Sequence, residues 1–542
     1  MILRGYQQEA CQRVREEWKE HQSTLLVLPT GLGKTVVFSH LIHQMFPRRC
    51  LVIAHRTELI TQAVEKIRAI TGFKTAIEMG DQRIMLGDMH GDPHVVVSSI
   101  QTQSAGGDGS GRMTKFDPSY FGLMIVDEGH HGTGASYQKT IAYYKQNPRL
   151  KILGVTATPD RADEEALGQI YETVAMDLEI LDAVNDGWLV PVQQQMVTVG
   201  TLDFSQIRTT AGDLNGADLA RVMEAETILQ GVCSATMQII GNRRTLIFTA
   251  SVSQAECISE ILNRHRDGCS DWACGKTPKD IRAAKLAKFK SGEKQIMVNC
   301  GLFTEGFDDP GVEVIVMAKP TKSRSLYAQM VGRSLRPAEN IAHKLNDVET
   351  SEERKAMIAS SVKKEALIID FVGNAGRHKL MTTADILGGN VTDDVLEAAV
   401  RVAKERGTPV DMTDIIEEEQ RKADAEAARR ARLVARAKFA MQNVDPFDVF
   451  QLKREKDRGW NAGKVLTEKQ DALLRKQGFD PDALGYTGSK QIIGELTRRW
   501  HDNLCSFKMA KILRKHGLDG NVSFEVAKQQ IDEIAEREGW AR

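Results

Sequence analysis

Residues 28–35 read Leu28-Pro29-Thr30-Gly31-Leu32-Gly33-Lys34-Thr35, and this stretch decides the fold. The apolar run at 25–28 has the look of a buried strand, and residues 36–45 have the apolar spacing of a helix. Strand, glycine-bearing loop, Gly-Lys-Thr and helix form the setting of a phosphate-binding loop. Gly31 and Gly33 let backbone N–H groups turn inward around a polyphosphate, and the helix N-terminus adds partial positive charge. Lys34 is placed to reach β- and γ-phosphates, and the Thr35 hydroxyl to ligate Mg²⁺. Leu28 stands where the common pattern has glycine.

Working outward, residues 25–159 alternate short apolar runs (25–28, 51–54, 95–98, 123–126, 152–155) with helix-like stretches. The runs are nearly continuous and rich in β-branched residues, as for strands covered on both faces, which predicts a parallel α/β domain. A second alternating set has candidate strands at 245–248, 295–298, 314–317 and 367–371. The expected division is 1–165 and 245–390 as two α/β domains, with 166–244 a helical connector. A charged helical linker follows at 391–464, then an all-α pair of repeats at 465–542. Within the linker, 415–438 runs from Glu-rich to Arg-rich, which suits a helix dipole. Its Arg429, Arg430, Arg432, Arg436 and Lys438 read either as phosphate contacts or as a solvated face. In the repeat, Leu474, Gly478 and Asp480 recur as Leu513, Gly517 and Asp519. Each copy reads as a helix, a C′ glycine, a turn and a second helix.

Bulk composition excludes several classes. The chain has 542 residues, 42% hydrophobic and 27% charged, with a net charge of −1. A nucleic-acid partner therefore needs a local groove rather than a basic surface overall. No apolar run approaches the ~20 residues of a membrane span, and the charged first thirty residues suggest no signal peptide, so no membrane partner is expected. Eight scattered cysteines without a C-x-x-C pair read as reduced cytosolic thiols rather than a zinc site.

Two further segments carry chemistry. Asp127 and Glu128 end an apolar run, one acid suited to holding Mg²⁺ and the other to orienting and deprotonating an attacking water. Arg333 and Arg336, three apart in the segment 329–336, which is expected to open or lie on a helix, share one helical face and suit a γ-phosphate.

In this order the segments resemble superfamily 2 helicases of the D-E-x-H type. Residues 28–35 are similar to that family's P-T-G-x-G-K-T loop, whose first position need not be glycine. The match spans residues 1–375, and the resemblance implies two tandem RecA-like lobes that bind ATP and Mg²⁺ in the cleft between them. Arg4 and Gln7 resemble the adenine-recognising segment. Thr30, Gly31, Gly33, Lys34 and Thr35 belong to the phosphate loop, and Thr35 and Asp127 are the implied metal ligands. Gly306, Asp308 and Gln329 are implied nucleotide contacts. Lys34, Asp127, Glu128, Arg333 and Arg336 are the implied catalytic set, while Thr156 and Thr158 resemble the segment coupling hydrolysis to strand movement. His55, Arg56, Ser99, Gln101 and Thr304 resemble strand contacts. Gly129 replaces the commoner Ala or Cys of the box, a change expected to be tolerated.

His130, where RNA helicases of the D-E-A-D type have Asp, turns the resemblance toward repair, recombination, restriction and phage-type members. It implies a cytoplasmic bacterial or phage protein acting on single-stranded, forked or branched DNA. An RNA track remains an alternative. So does a non-unwinding motor subunit that docks a protein partner through the C-terminal repeats.

Overall fold

The computed structural model describes all residues except 1–2, 56, 88–90, 106–111, 158–163, 304–306, 308, 376–378, 388–390, 407, 438–445, 451, 453–454, 456–458, 462 and 539–542. The chain forms two compact units, one of residues 1–389 with 393–421 and one of 390–392 with 422–542. The first holds two seven-stranded sheets.

Seven strands build the first sheet: β1 (Ser23–Val27), β2 (Cys50–Ala54), β3 (Thr75–Glu78), β4 (Val95–Ser99), β5 (Leu123–Asp127), β6 (Lys151–Thr156) and β7 (Thr173–Asp177). Their order is β3-β4-β2-β5-β6-β1-β7, and every pairing is parallel. β1, β2 and β4 are buried at every position, which is why they read as unbroken apolar runs. β1, β5 and β6 lie side by side, so the loops leaving their C-terminal ends gather at one edge. Ligands bind at that edge in open parallel sheets.

After β8 (Val192–Asp203) come a small hairpin of β9 (Thr209–Thr210) and β10 (Asp213–Leu214), then β11 (Thr245–Thr249), β12 (Ser270–Cys274), β13 (Ile296–Cys300), β14 (Val314–Ala318), β15 (Ala366–Asn374) and β16 (Val410–Asp411). The second sheet runs β12-β13-β11-β14-β15-β8-β16, parallel but for the antiparallel β16.

The stretch expected as a connector, 166–244, divides between the two sheets. β7 closes one edge of the first, and β8 pairs with β15 inside the second. Three consecutive glutamines hide β8 in the sequence. Gln194 is nonetheless fully buried, its Nε2 donating to Asp370 on β15 at 2.6 Å. A buried carboxylate thus supplies the partner that makes a polar strand affordable.

In the second unit the helices Glu468–Gln477 and Phe507–Lys515 each end before a left-handed glycine, Gly478 (φ +87°) and Gly517 (φ +75°). The helices Pro481–His501 and Phe524–Glu538 follow them. Leu474, Ile492, Phe507 and Leu513 share its core. The charged stretch read as a long helix is the helix Met412–Ala437; Lys438 lies outside the described residues. No helix among the described residues is long and apolar enough to cross a membrane.

Candidate active site

The phosphate loop leaves β1 anchored to β6 by Leu28 N–H donating to the Thr156 carbonyl at 2.9 Å. Gly31 (φ +96°) and Gly33 (φ +78°) are left-handed, and the helix Lys34–Gln44 starts directly after. The first N–H groups of that helix have no intrahelical partner, which leaves them for an anion. Gln7 braces the loop from the helix Gly5–Glu20. Its Nε2 donates to the Leu32 carbonyl at 2.9 Å, as does the Tyr6 hydroxyl at 2.9 Å. The left-handed backbone at Gly33 favours glycine, and a β-carbon there would meet Gln7 Nε2 at 2.8 Å and displace it.

Arg4 is placed differently from Gln7. Its guanidinium donates to the Ala342 carbonyl at 3.1 Å and to Asn346 at 3.0 Å, both beside the second sheet, and lies over the Trp188 ring. Arg354 lies over the same ring, so two cations bracket the segment that joins the sheets.

Opposite the loop, β5 ends at Asp127. Glu128 takes a left-handed conformation (φ 51°, ψ 56°), uncommon for a residue with a β-carbon. Its N–H donates to Asp127 Oδ1 at 3.1 Å. Glu128 Oε1 lies 3.6 Å from Lys34 Nζ, and Oε2 lies 3.5 Å from His130 Nδ1. Oε2 is buried and accepts no hydrogen bond among the described residues. Burial pushes the Glu128 carboxyl up, but Lys34, His130 and Arg333 outweigh it and hold it below the usual range. Burial, together with the Glu128 charge, pushes Asp127 up instead. The pair is thus polarised, with Glu128 kept ionised.

His130 Nδ1 also lies 2.9 Å from Thr156 Oγ1, which ties the acidic box to the end of β6. A β-carbon on Gly129 would come 3.0 Å from Gly154 Cα, so the residue packs directly on the β6 backbone. Tyr171 covers Gly154 and donates to the Gly129 carbonyl at 3.2 Å.

The second sheet supplies the facing wall. A β-carbon on Gly332 would meet Thr30 Cβ at 2.7 Å, and one on Gly31 would meet Arg336 Cγ at 2.8 Å. Segments three hundred residues apart in sequence therefore touch. Gln329 and Arg333 are buried, and Arg333 Nη1 donates to the Phe307 carbonyl at 2.6 Å. Burial lowers Arg336 to about 10, still cationic at neutral pH.

The expected shared helix face of Arg333 and Arg336 is corrected. The helix Arg324–Val331 stops at the Gly332 cap, and both arginines lie in the turn beyond it. Gly332 is a poor helix residue, and Pro337 disfavours helical geometry at Arg336.

Of the expected strand contacts, His55 packs edge-on against His131 (4.7 Å), whose ring lies tilted against His130 (4.2 Å). Ser99 uses its hydroxyl to cap the helix Ile100–Ser104, accepting from Thr102 N–H at 3.2 Å, and Gln101 is exposed. Arg56, Thr158, Thr304, Gly306 and Asp308 lie outside the described residues.

Two residues that the sequence did not single out hold the loop below Arg333. Arg244 pairs with Asp309 at 2.9 Å and donates to the Gly311 carbonyl. Lys363 donates to the Pro310 carbonyl at 2.8 Å, and burial, with Arg336 nearby, lowers it to about 7. Their signal is tertiary. In sequence each is one cation among many.

Known families match both halves of this site. Residues 1–161 match the family of type III restriction enzyme res subunits, and residues 229–338 match the helicase conserved C-terminal domain. Across both halves of the site the chain is similar to superfamily 2 helicases. A Saccharomyces cerevisiae protein with the assigned designation ATP-dependent helicase IRC3 is 31% identical over 352 residues, 62% of this chain and 49% of that protein. The chain thus spans about half the length of that relative. The DNA 3'-5' translocase XPB2 of Sulfurisphaera tokodaii is 25% identical over 62% of this chain and 78% of its own length. In fold, the chain is similar to a fragment of an HsdR-type subunit of a Vibrio vulnificus type I restriction enzyme. That likeness has a TM-score of 0.50 at 19% identity and covers 70% of this chain and 65% of that one. The two sheets are RecA-like lobes.

Proposed function

We propose that the chain is an ATP-dependent motor that moves along or remodels DNA. The observation that carries this is the seating of Arg336 across Gly31, which makes one site from two lobes. The residues present fit ATP with Mg²⁺: left-handed glycines, Lys34 beside a carboxylate, and a buried Glu128 oxygen without a hydrogen bond. Thr35 and Asp127 would hold the metal, which supplies charge neutralisation at the phosphates. Lys34 leaves Glu128 for the β- and γ-phosphates. Glu128 orients the attacking water and takes its proton. Arg333 and Arg336 stabilise charge on the transferring group, so hydrolysis needs the lobes closed.

Release of products removes the anion that Lys34 and the arginines share, which favours opening. The bond from His130 to Thr156 carries the state of Glu128 to the end of β6, with Thr158 continuing that segment. Gln7 fixes the loop under the base, Gln329, Gly306 and Asp308 complete the nucleotide contacts, and Arg4 joins them by leaving Ala342 and Asn346. His55, Arg56, Ser99, Gln101 and Thr304 hold the strand mainly at phosphates, which makes the grip salt-sensitive and largely indifferent to sequence. The relative designated a DNA 3'-5' translocase supports DNA as the track.

The test is ATPase activity of the full chain with matched DNA and RNA strands. DNA should stimulate hydrolysis more than RNA, and Lys34→Ala should abolish it. Stimulation by RNA alone overturns the DNA assignment, and no stimulation by either overturns the motor.

A further inference from the structure

The C-terminal repeat has diverged in charge while keeping its core. Leu474 and Gly478 of the first copy correspond to Leu513 and Gly517 of the second, an offset of 39. At the same offset the acidic Glu468 and Asp471 become Phe507 and Ala510, and Ala472 becomes Lys511. The helix Glu468–Gln477 mixes acids and bases, with Asp471 paired to Arg475 at 2.7 Å. The helix Phe507–Lys515 carries four cations and no carboxylate. Phe507, Ala510 and Leu513 are buried, and Lys508, Lys511 and Lys515 follow a stripe flanking that buried face at helical spacing. Arg514 pairs with Asp519, while the three lysines have no carboxylate partner among the described residues.

Beside this face stands an aromatic. Trp500 is 85% exposed. It lines a cavity of about 440 Å³ with Leu473, Leu496, Ser506, Phe507 and Phe524. Phe507, the first residue of the lysine-bearing helix, lines the same cavity as Trp500, and Lys508 follows it in the chain. A tryptophan this exposed gains nothing from the core. Three ammonium groups at one-turn intervals, without a carboxylate partner among the described residues, leave positive charge uncompensated. Together they match a flexible polyanion that carries flat rings. The helix Phe524–Glu538 carries mixed charge instead, with Glu525, Lys528, Asp532 and Glu533 lining a cavity of its own.

We propose that this face binds single-stranded nucleic acid, with phosphates along Lys508, Lys511 and Lys515 and a base stacked on Trp500. The surface is a second grip, separate from the strand contacts assigned to the lobes. The choice of strand as ligand rests on the motor reading, but the test needs no hydrolysis.

Binding of a fluorescein-labelled twenty-residue deoxythymidylate to the full chain is measured without nucleotide over a range of salt. Replacing Lys508, Lys511 and Lys515 together by Gln should weaken binding at least about tenfold. It should also reduce the slope of log affinity against log salt by about 2, at ~0.7 per phosphate contact. Trp500→Ala should weaken binding about tenfold and leave that slope unchanged, since stacking carries no charge. Both variants should keep the strand-independent ATPase rate, which reports a folded chain. Wild-type affinity and slope in both variants overturn the proposal, including the case where they instead lose a protein partner. If wild-type ATPase ignores every strand but the slope still changes in the lysine variant, the motor reading fails and this one stands.

Discussion

The stem of Arg336 lies against Gly31 so closely that a β-carbon there would sit 2.8 Å from Arg336 Cγ. This contact joins the two lobes, and in the proposed function it completes one reaction site. Gly31→Ala should displace Arg336 and strain a backbone at φ +96°. ATP turnover is expected to fall about 10²-fold, the usual cost of misplacing a reacting group by ~1 Å. Comparison of kcat with nucleotide affinity checks this. An unchanged kcat means Arg336 does not act from that position.

Glu128→Gln should separate binding from chemistry. The carboxylate faces Lys34 at 3.6 Å and has one buried oxygen without a hydrogen bond. Removing its charge frees Lys34 for phosphate, so nucleotide affinity should stay the same or tighten. Loss of a general base should cost about 10²–10⁴ in rate. Equilibrium nucleotide binding and single-turnover hydrolysis read the two effects separately.

Gly129→Ala should destabilise the first lobe. The new methyl would press on Gly154 at 3.0 Å, under the Tyr171 ring. Overpacking of this kind costs about 1–3 kcal/mol. Tyr171→Phe should cost about 1 kcal/mol through the lost bond to the Gly129 carbonyl. Urea midpoints report both. Gly129 thus packs closely on the β6 backbone, which must give by a few tenths of an ångström to admit a methyl group.

Lys363 should leave a signature in pH. Its folded value is lowered to about 7 by burial, against about 10.4 for an unfolded lysine. Between those values the unfolded chain binds one more proton, so this group makes stability rise with pH by up to about 1.4 kcal/mol per unit. Lys363→Met should abolish that rise. Urea midpoints at pH 7.5 and 9.5 check it, and identical pH dependence in the two proteins counts against a buried ammonium.

The fold was legible where burial leaves a local mark. β1, β2 and β4 are buried at every position and read as apolar runs, and the phosphate loop reads from its glycines. β8 was hidden because Gln194 finds Asp370 only after β15 is laid beside it. β7 is a short edge strand of mixed character. The Arg333–Arg336 pair was legible as chemistry but not as geometry, because the turn after Gly332 depends on Thr30 of the other lobe. Arg244 and Lys363 carry no local signal, since their role follows from which carbonyls they reach.

The most direct measurement is steady-state ATP hydrolysis by Arg336→Ala at saturating ATP and single-stranded DNA. A site completed by the second lobe predicts a kcat at least about 10³-fold below wild type with nucleotide affinity nearly kept. A kcat within a few fold of wild type would contradict it, and the cleft between the lobes would not be where hydrolysis is controlled.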